Sequence, residues 1–162
     1  MTISSQTRDC LTTALANPTA GNDVKTHLNQ VTTNQTNITA LQTAQGVGGA
    51  TFSIGSESSD AIVVGIQLND PDGDAMTVAS AVTILLLADA AGAAFNTDDY
   101  TIAAGTDGAI EQLVADKILY AISETDGDID LSLTISGSAT CYVAVVLPNG
   151  KLVVSDAVTH AA

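Results

Sequence analysis

At 162 residues, the chain is long enough for one domain with a core of ordinary size and too short for two full domains. Its formal net charge is −14, and an acidic surface repels both nucleic-acid phosphates and anionic lipid headgroups. We therefore expect neither a nucleic-acid partner nor a membrane partner.

The charge is distributed unevenly along the chain. Before residue 46 the acidic and basic side chains cancel. All the remaining acidic residues lie in 46–162, where the only basic residues are Lys117 and Lys151. This shift predicts a boundary between a neutral N-terminal segment and one acidic domain.

The first 21 residues are mainly small and polar, with Pro18 and Gly21 among them. We interpret residues 1–21 as an arm that becomes ordered when a partner binds it. The start of the chain has no apolar run behind a basic region, as a secretory signal would require. Assembly in a cytoplasm, with reduced structural cysteines, is therefore expected.

A narrow apolar stripe runs through the threonine- and asparagine-rich segment 22–45. Its aliphatic residues follow one another at steps of four, three and seven, which is the spacing of a coiled coil. Asn22 or Asp23 is the expected N-terminal cap of this helix. Glutamines at two core positions would fix the register at some cost in stability. The predicted core positions of this stalk are Val24, Leu28, Val31, Gln35, Ile38 and Gln42.

The stalk segment is a poor isolated helix, because each β-branched threonine costs up to about 0.7 kcal/mol relative to alanine. Such a helix needs partners, and over about three heptads it is marginal by itself. We therefore expect the C-terminal domain to help hold the oligomer together. The alternative, a helix packed on its own domain, lacks the broad apolar face it would need. Residues 46–50 are predicted to form a glycine hinge.

From residue 51 onward the hydrophobic period changes to two, most clearly in 62–68 and 129–135. Asp, Asn, Pro and Gly clusters at 70–73, 105–108, 126–127 and 148–150 predict hairpins between the strands. The longest apolar run, 79–88, is too short to span a membrane and predicts a core strand. Residues 108–115 also fit a short helix. We count nine candidate strands, near 50–55, 61–69, 76–89, 99–103, 109–115, 117–124, 128–136, 139–147 and 151–158.

These patterns predict a mainly β fold class. An N-terminal arm and a short coiled-coil helix precede an antiparallel β-sandwich, residues 51–162, of jelly-roll or immunoglobulin-like kind.

Two acidic clusters are candidate cation sites. Asp70, Asp72 and Asp74 resemble the opening of a calcium loop, but its twelfth position is the apolar Ala81. A solvated turn is the favoured interpretation, because Asp and Gly are common turn residues. The second cluster, at 126–130, is interpreted as a turn followed by the solvent face of a strand.

No catalytic constellation is recognisable in the sequence. His27 and His160 are interpreted as surface histidines without a nucleophile beside them, and Cys141 as a buried packing residue. Most of the five aromatic residues are expected to fill the core, which leaves few for a sugar-binding platform. We therefore predict no enzyme activity, no cofactor and no metal site.

The stretch VTTNQTNITALQ, residues 31–42, resembles the short trimeric shafts of tailed-bacteriophage fibres. The stretches 102–108 and 145–155 resemble small β-domains of phage virion proteins, particularly head fibre and capsid decoration proteins. The resemblance implies a homotrimer on the outer capsid surface of a virion, assembled in the host cytoplasm.

In such a protein the arm would bind the major capsid protein. The arm residues expected at that contact are Met1, Thr2, Ile3, Arg8, Leu11 and Leu15. The alternative function is a tail fibre or receptor-binding protein whose head recognises a host surface glycan. A glycosidase fragment ranks lower, for want of paired carboxylates in a cleft.

Overall fold

The computed structural model describes residues 18–43 and 46–162. The chain divides into two units, residues 1–44 and 45–162. The described part of the first unit is one helix, α1, which spans Pro18–Thr43, and its side chains are described over 25–37.

Helix α1 begins four residues earlier than predicted. Proline suits the first turn of a helix, because its missing N–H would have no acceptor within the helix. The predicted cap at Asn22 or Asp23 is wrong, since both residues lie inside α1. The helix ends at Thr43, within two residues of the expected end of the stalk.

Threonine hydroxyls in α1 bond to the helix's own backbone. The Oγ1 atoms of Thr32 and Thr36 each donate to the carbonyl four residues earlier at 3.0 Å, and that of Thr33 does so at 2.9 Å. These bonds satisfy the hydroxyls without any partner element. They do not raise the helix propensity of threonine, so the segment still depends on packing for its stability.

The second unit is built from strands that form two antiparallel sheets. The smaller sheet has the order β1-β2-β7-β4, and the larger has the order β10-β8-β3-β6-β5, with β9 also paired to β8. The mainly β prediction is confirmed. The strands are β1 Gly49–Ile54, β2 Ala61–Asn69, β3 Ala81–Leu87, β4 Thr101–Ala104, β5 Ala109–Val114, β6 Ile118–Ile122, β7 Asp128–Thr134, β8 Ala139–Val146, β9 Leu152–Val154 and β10 Val158–His160.

The sequence located these strands well. Residues 109–114 are strand and not helix, because they pair along β6 with a bulge at Leu113. The last predicted strand is two strands, β9 and β10, which pair with different parts of β8.

One hydrophobic core joins the inner faces of the two sheets. Alternate residues of β2, from Ile62 to Leu68, are at most 2% exposed, and those of β7, from Ile129 to Leu133, are fully buried. They share one cluster with the inner residues of β3, β6 and β8. This arrangement is consistent with a β-sandwich.

The hairpin prediction holds locally at 70–73, where Asn69 and Ala75 form an antiparallel bridge, and is wrong at 105–108 and 126–127. Residues 70–73, 105–108 and 126–127 carry the chain from one sheet to the other, and the cluster at 148–150 alone joins paired neighbours, β8 and β9. Turn-forming residues in the sequence indicate where the chain reverses direction. They do not indicate which sheet the next strand joins.

The glycine segment before β1 belongs largely to the β unit. Val47 is 6% exposed within the core, and the Gly48 N–H donates to the Asn69 carbonyl at 2.8 Å. A Cβ atom on Gly48 would lie 2.5 Å from the Pro71 Cα. Position 48 is therefore a glycine because the backbone at Pro71 comes close to it. The sequence had suggested a hinge over residues 46–50.

Candidate functional site

The predicted stalk positions all fall within α1. Steps of four and three place them on a stripe about 80° wide and about 27 Å long. Leu28 is 59% exposed and Val31 is 60% exposed, and every side chain described in α1 is exposed. The side chains of Val24, Ile38 and Gln42 are outside the described part, as are the arm residues Met1, Thr2, Ile3, Arg8, Leu11 and Leu15.

A polar groove crosses the outer face of the smaller sheet. It has a volume of about 210 Å³. Gly65 lies in its floor, where the Ser53 Oγ would be 2.6 Å from a Cβ atom and so occupies the space of a side chain. Hydroxyl, amide and carboxylate groups of this kind can hydrogen-bond a polyol. The polar side chains that line the groove are Thr51, Ser53, Gln67, Asp128 and Asp130.

Carboxylates crowd one end of this groove. Partial desolvation raises the pKa of Asp128, and the neighbouring carboxylates of Asp126, Asp107 and Asp130 raise it further. Protonation of Asp128 therefore relieves repulsion in the folded state.

The Asp70 turn uses its carboxylate internally. Asp70 is 6% exposed, and its Oδ1 accepts backbone N–H bonds from Asp72 at 2.9 Å and from Asp74 at 3.0 Å. These bonds support the turn interpretation. Within residues 18–43 and 46–162, no three His, Cys, Asp or Glu side chains are grouped so that they could hold a metal ion.

A buried polar cluster that the sequence did not predict lies beside β10. His160 is fully buried, with its ring centroid 5.5 Å from that of Tyr100. Its Nδ1 lies 3.7 Å from the Glu57 Oε1, while the Glu57 Oε2 accepts the Ala161 N–H at 2.8 Å. The surface assignment of His160 is wrong, because β10 pairs with β8 and turns this side chain inward. His27 is exposed, as expected.

Cys141 is buried beside Tyr100. Burial raises the pKa of the Cys141 thiol, although the Tyr100 hydroxyl partly offsets this. The pKa of Tyr100 is raised by burial and by the thiol. A protonated, fully buried thiol is a poor nucleophile, so the packing interpretation of Cys141 is confirmed.

Fewer aromatic residues fill the core than expected. Tyr100 is buried and Phe52 packs against the core, but Phe95 is 43% exposed and Tyr120 is 42% exposed. Tyr120 lies on the outer face of the larger sheet, which the period-two pattern alone could not distinguish from the inner face.

No protein-family model matches the sequence, and no match was found among curated proteins. Among solved structures, the chain is similar to a cohesin module from a family 33 glycoside hydrolase of Clostridium perfringens ATCC13124. The two are 14% identical, and the alignment covers 72% of this chain and 95% of that one, with a TM-score of 0.38. This likeness is too weak to carry an argument about function. In the described part of the chain, no helix is both long and apolar enough to cross a membrane.

Replacing Tyr100 with Phe should leave the free energy of unfolding unchanged or raise it by up to about 1 kcal/mol. The Tyr100 hydroxyl is buried, and the Cys141 thiol beside it is only a weak hydrogen-bonding partner, so removal of the hydroxyl relieves a desolvation cost. Tyr100→Ala should instead lower the free energy by about 3–5 kcal/mol, because it leaves a cavity. Urea unfolding measures both. A loss above about 1 kcal/mol in Tyr100→Phe would show that the hydroxyl is stabilising.

Replacing Asp128 with Asn should stabilise the fold at pH 7 by up to about 0.5 kcal/mol, since the crowded carboxyl is partly screened by solvent. The folded-state pKa lies above the ordinary 3.8, so the native state binds the proton more tightly than the unfolded state. The stability that Asp128 contributes is therefore lost as pH rises through this raised value, and the two proteins should converge below about pH 4. Urea unfolding at pH 3.5 and pH 7 tests this prediction. The control Asp99→Asn changes the net charge equally at an exposed position, so an equal gain there would refute the crowding argument.

Proposed function

We propose that this chain is a structural virion protein, a homotrimeric head fibre or decoration protein bound to the outer surface of a phage capsid. The proposed oligomer rests on one observation about α1. All of its described side chains are exposed, and two of them, Leu28 and Val31, are large and apolar. The phage assignment rests on the resemblance of residues 31–42, 102–108 and 145–155 to fibre and decoration proteins.

The helix supports self-association because its described side chains, at 25–37, are all exposed and would gain packing from identical neighbouring chains. Isolated helices are marginal in water, and most helical stability in proteins comes from packing of an apolar face. The stripe is too narrow for a helix lying on a globular domain and matches a coiled-coil seam. The number three comes from the fibre resemblance, since valine and isoleucine at one core position do not decide it.

The β unit is proposed to form the projecting head, with a jelly-roll fold. Strand β2 pairs with β7, and β3 pairs with β6, so the second pair lies between the partners of the first along the chain. A long hairpin folded over on itself gives this pattern. In the immunoglobulin fold the second strand pairs with the fifth, which β2 does not do here. Three of the turn clusters cross between the sheets, which also favours the jelly-roll alternative.

The arm and the acidity of the head fit display on a shell. Three arms joined by one stalk bind at a higher effective concentration than a single arm, so a weak contact with the major capsid protein suffices. The net charge of −14 is concentrated in residues 46–162 and keeps densely displayed copies apart in solution.

A receptor-binding tail protein is the second candidate, and the polar groove on the smaller sheet favours it. The groove offers Thr51, Ser53 and Gln67 beside two carboxylates, which suits a glycan hydroxyl better than an apolar ligand.

Leu28→Asp should shift the solution mass from three chains to one at micromolar concentration. Three carboxylates brought together at the coiled-coil axis should cost at least about 3 kcal/mol per trimer. Asn29→Asp makes the same change in charge off the stripe and should leave the mass at three chains. Light scattering after size exclusion measures all three proteins. A single-chain mass for the unaltered protein would contradict the proposed trimer.

The copy number per virion separates the two candidate functions. A decoration protein docks at every equivalent junction of the shell, so its copy number should rise with the number of capsid subunits. A tail protein is restricted to the few positions at one vertex. Quantitative gel analysis of purified particles gives the ratio to the major capsid protein, and a ratio of only a few copies per particle would reject the head-fibre function.

A further inference from the structure

An asparagine or aspartate directly precedes a glycine at 72–73, 107–108, 126–127 and 149–150. At such a pair the glycine nitrogen can attack the carbonyl carbon of the preceding side chain, because glycine has no side chain to hinder the approach. The pair at 149–150 is the one with a carboxamide. A carboxamide is a better electrophile than a carboxylate, so Asn149 has the most reactive side chain of the four.

The space around each glycine separates these pairs further. A Cβ atom on Gly108 would lie 2.8 Å from a backbone carbonyl oxygen of β6, and one on Gly127 would lie 2.8 Å from a backbone carbonyl oxygen of β2. At Gly150, where φ is +81°, no atom of the described residues beyond its chain neighbours would lie within 4 Å. Gly73 is equally open, but it follows a carboxylate. The peptide at 149–150 can therefore rotate for attack without displacing a neighbouring strand.

The Asn149 side chain is folded back over the peptide that follows it. Its Oδ1 accepts the Lys151 N–H at 2.9 Å, and the Gly150 nitrogen lies between these two groups along the chain. The Lys151 N–H also polarises the side-chain carbonyl and stabilises the negative charge that develops on Oδ1 during attack, as an oxyanion-hole donor does. The Gly150 N–H donates to the Leu147 carbonyl at 2.9 Å, so this bond must open first. Such opening costs little in an exposed turn.

We propose that Asn149 is a site of spontaneous deamidation in the folded protein. A base removes the Gly150 amide proton, the nitrogen bonds to the Asn149 Cγ, and the carboxamide nitrogen takes up protons and leaves as ammonia. The succinimide ring that results is opened by water at either of its carbonyls, giving aspartate or isoaspartate. The net reaction consumes one water, releases one ammonia and involves no oxidation or reduction.

Isoaspartate loosens the hairpin that joins β8 to β9. It routes the main chain through the side chain and so adds a methylene to a loop whose ends are fixed, since the Leu147 N–H donates to the Lys151 carbonyl at 2.8 Å. Hairpin loop length and strand register are linked. Strand β9, Leu152–Val154, has three residues and pairs with β8 alone, so little other pairing holds it in place. The reaction therefore weakens one edge of the larger sheet irreversibly.

Ageing of the full chain in buffer tests the site. Peptide mapping by mass spectrometry should find at least about tenfold more product at Asn149 than at Asn69, a difference in barrier of about 1.4 kcal/mol. Asn69 precedes an aspartate in the same chain and is the matched control. The rate should rise with pH, because the attacking nitrogen must lose its proton. Asn149→Gln should remove the product, since its longer side chain closes a larger ring more slowly. Equal yields at 149 and 69 overturn the proposal.

Urea below the unfolding transition distinguishes reaction of the folded chain from reaction of the unfolded chain. The rate at Asn149 should stay unchanged, because the turn is already exposed in the native state. A rate that rises in proportion to the unfolded population overturns reactivity in the folded protein.

Hydrogen exchange separates the added methylene from the added charge. In the isoaspartate fraction of aged protein, the amides of Leu152–Val154 should exchange at least about tenfold faster than in fresh protein. Asn149→Asp introduces the charge with an unaltered main chain and should leave their exchange unchanged. Equal exchange in the isoaspartate form and the fresh protein refutes the loosening of β9.

Discussion

The antiparallel pairing of β2 with β7 is the interaction on which the rest of the β unit depends. It joins Ala61 to Thr134 and Gln67 to Asp128 across most of the length of the unit. The Gln67 amide reinforces the pairing by donating to the Asp126 carbonyl at 2.8 Å. Because strand side chains alternate, this register directs the isoleucines and leucines of both strands inward and places the carboxylates of β7 outward beside Gln67. The core and the polar groove therefore follow from the same register.

The two sheets present outer faces of opposite character. The smaller sheet exposes hydroxyl, amide and carboxylate groups, while the larger exposes aliphatic residues and Tyr120.

Three potentially reactive side chains of the β unit are buried away from solvent. Tyr100, Cys141 and His160 lie together inside the β unit, where the thiol stays protonated and no substrate can reach it. Their polar atoms are poorly satisfied, since neither ring nitrogen of His160 makes a hydrogen bond among the described residues. The Glu57 side chain approaches this histidine and also binds the backbone at Ala161, and so ties the C-terminal strand to the loop before β2.

The sequence alone determined the strand positions, the helix and the acidity of the second unit, because these depend on local periodicity and composition. The alternation from Ile129 to Ile135 and the heptad spacing from Val24 to Ile38 are local signals that need no partner. Tertiary structure decided what depends on distant neighbours. Only the pairing of β10 with β8 makes His160 internal, and only the sheet order turns two predicted hairpins into crossings between sheets. Gly48 likewise depends on Pro71, a residue that comes close to it only in the folded chain.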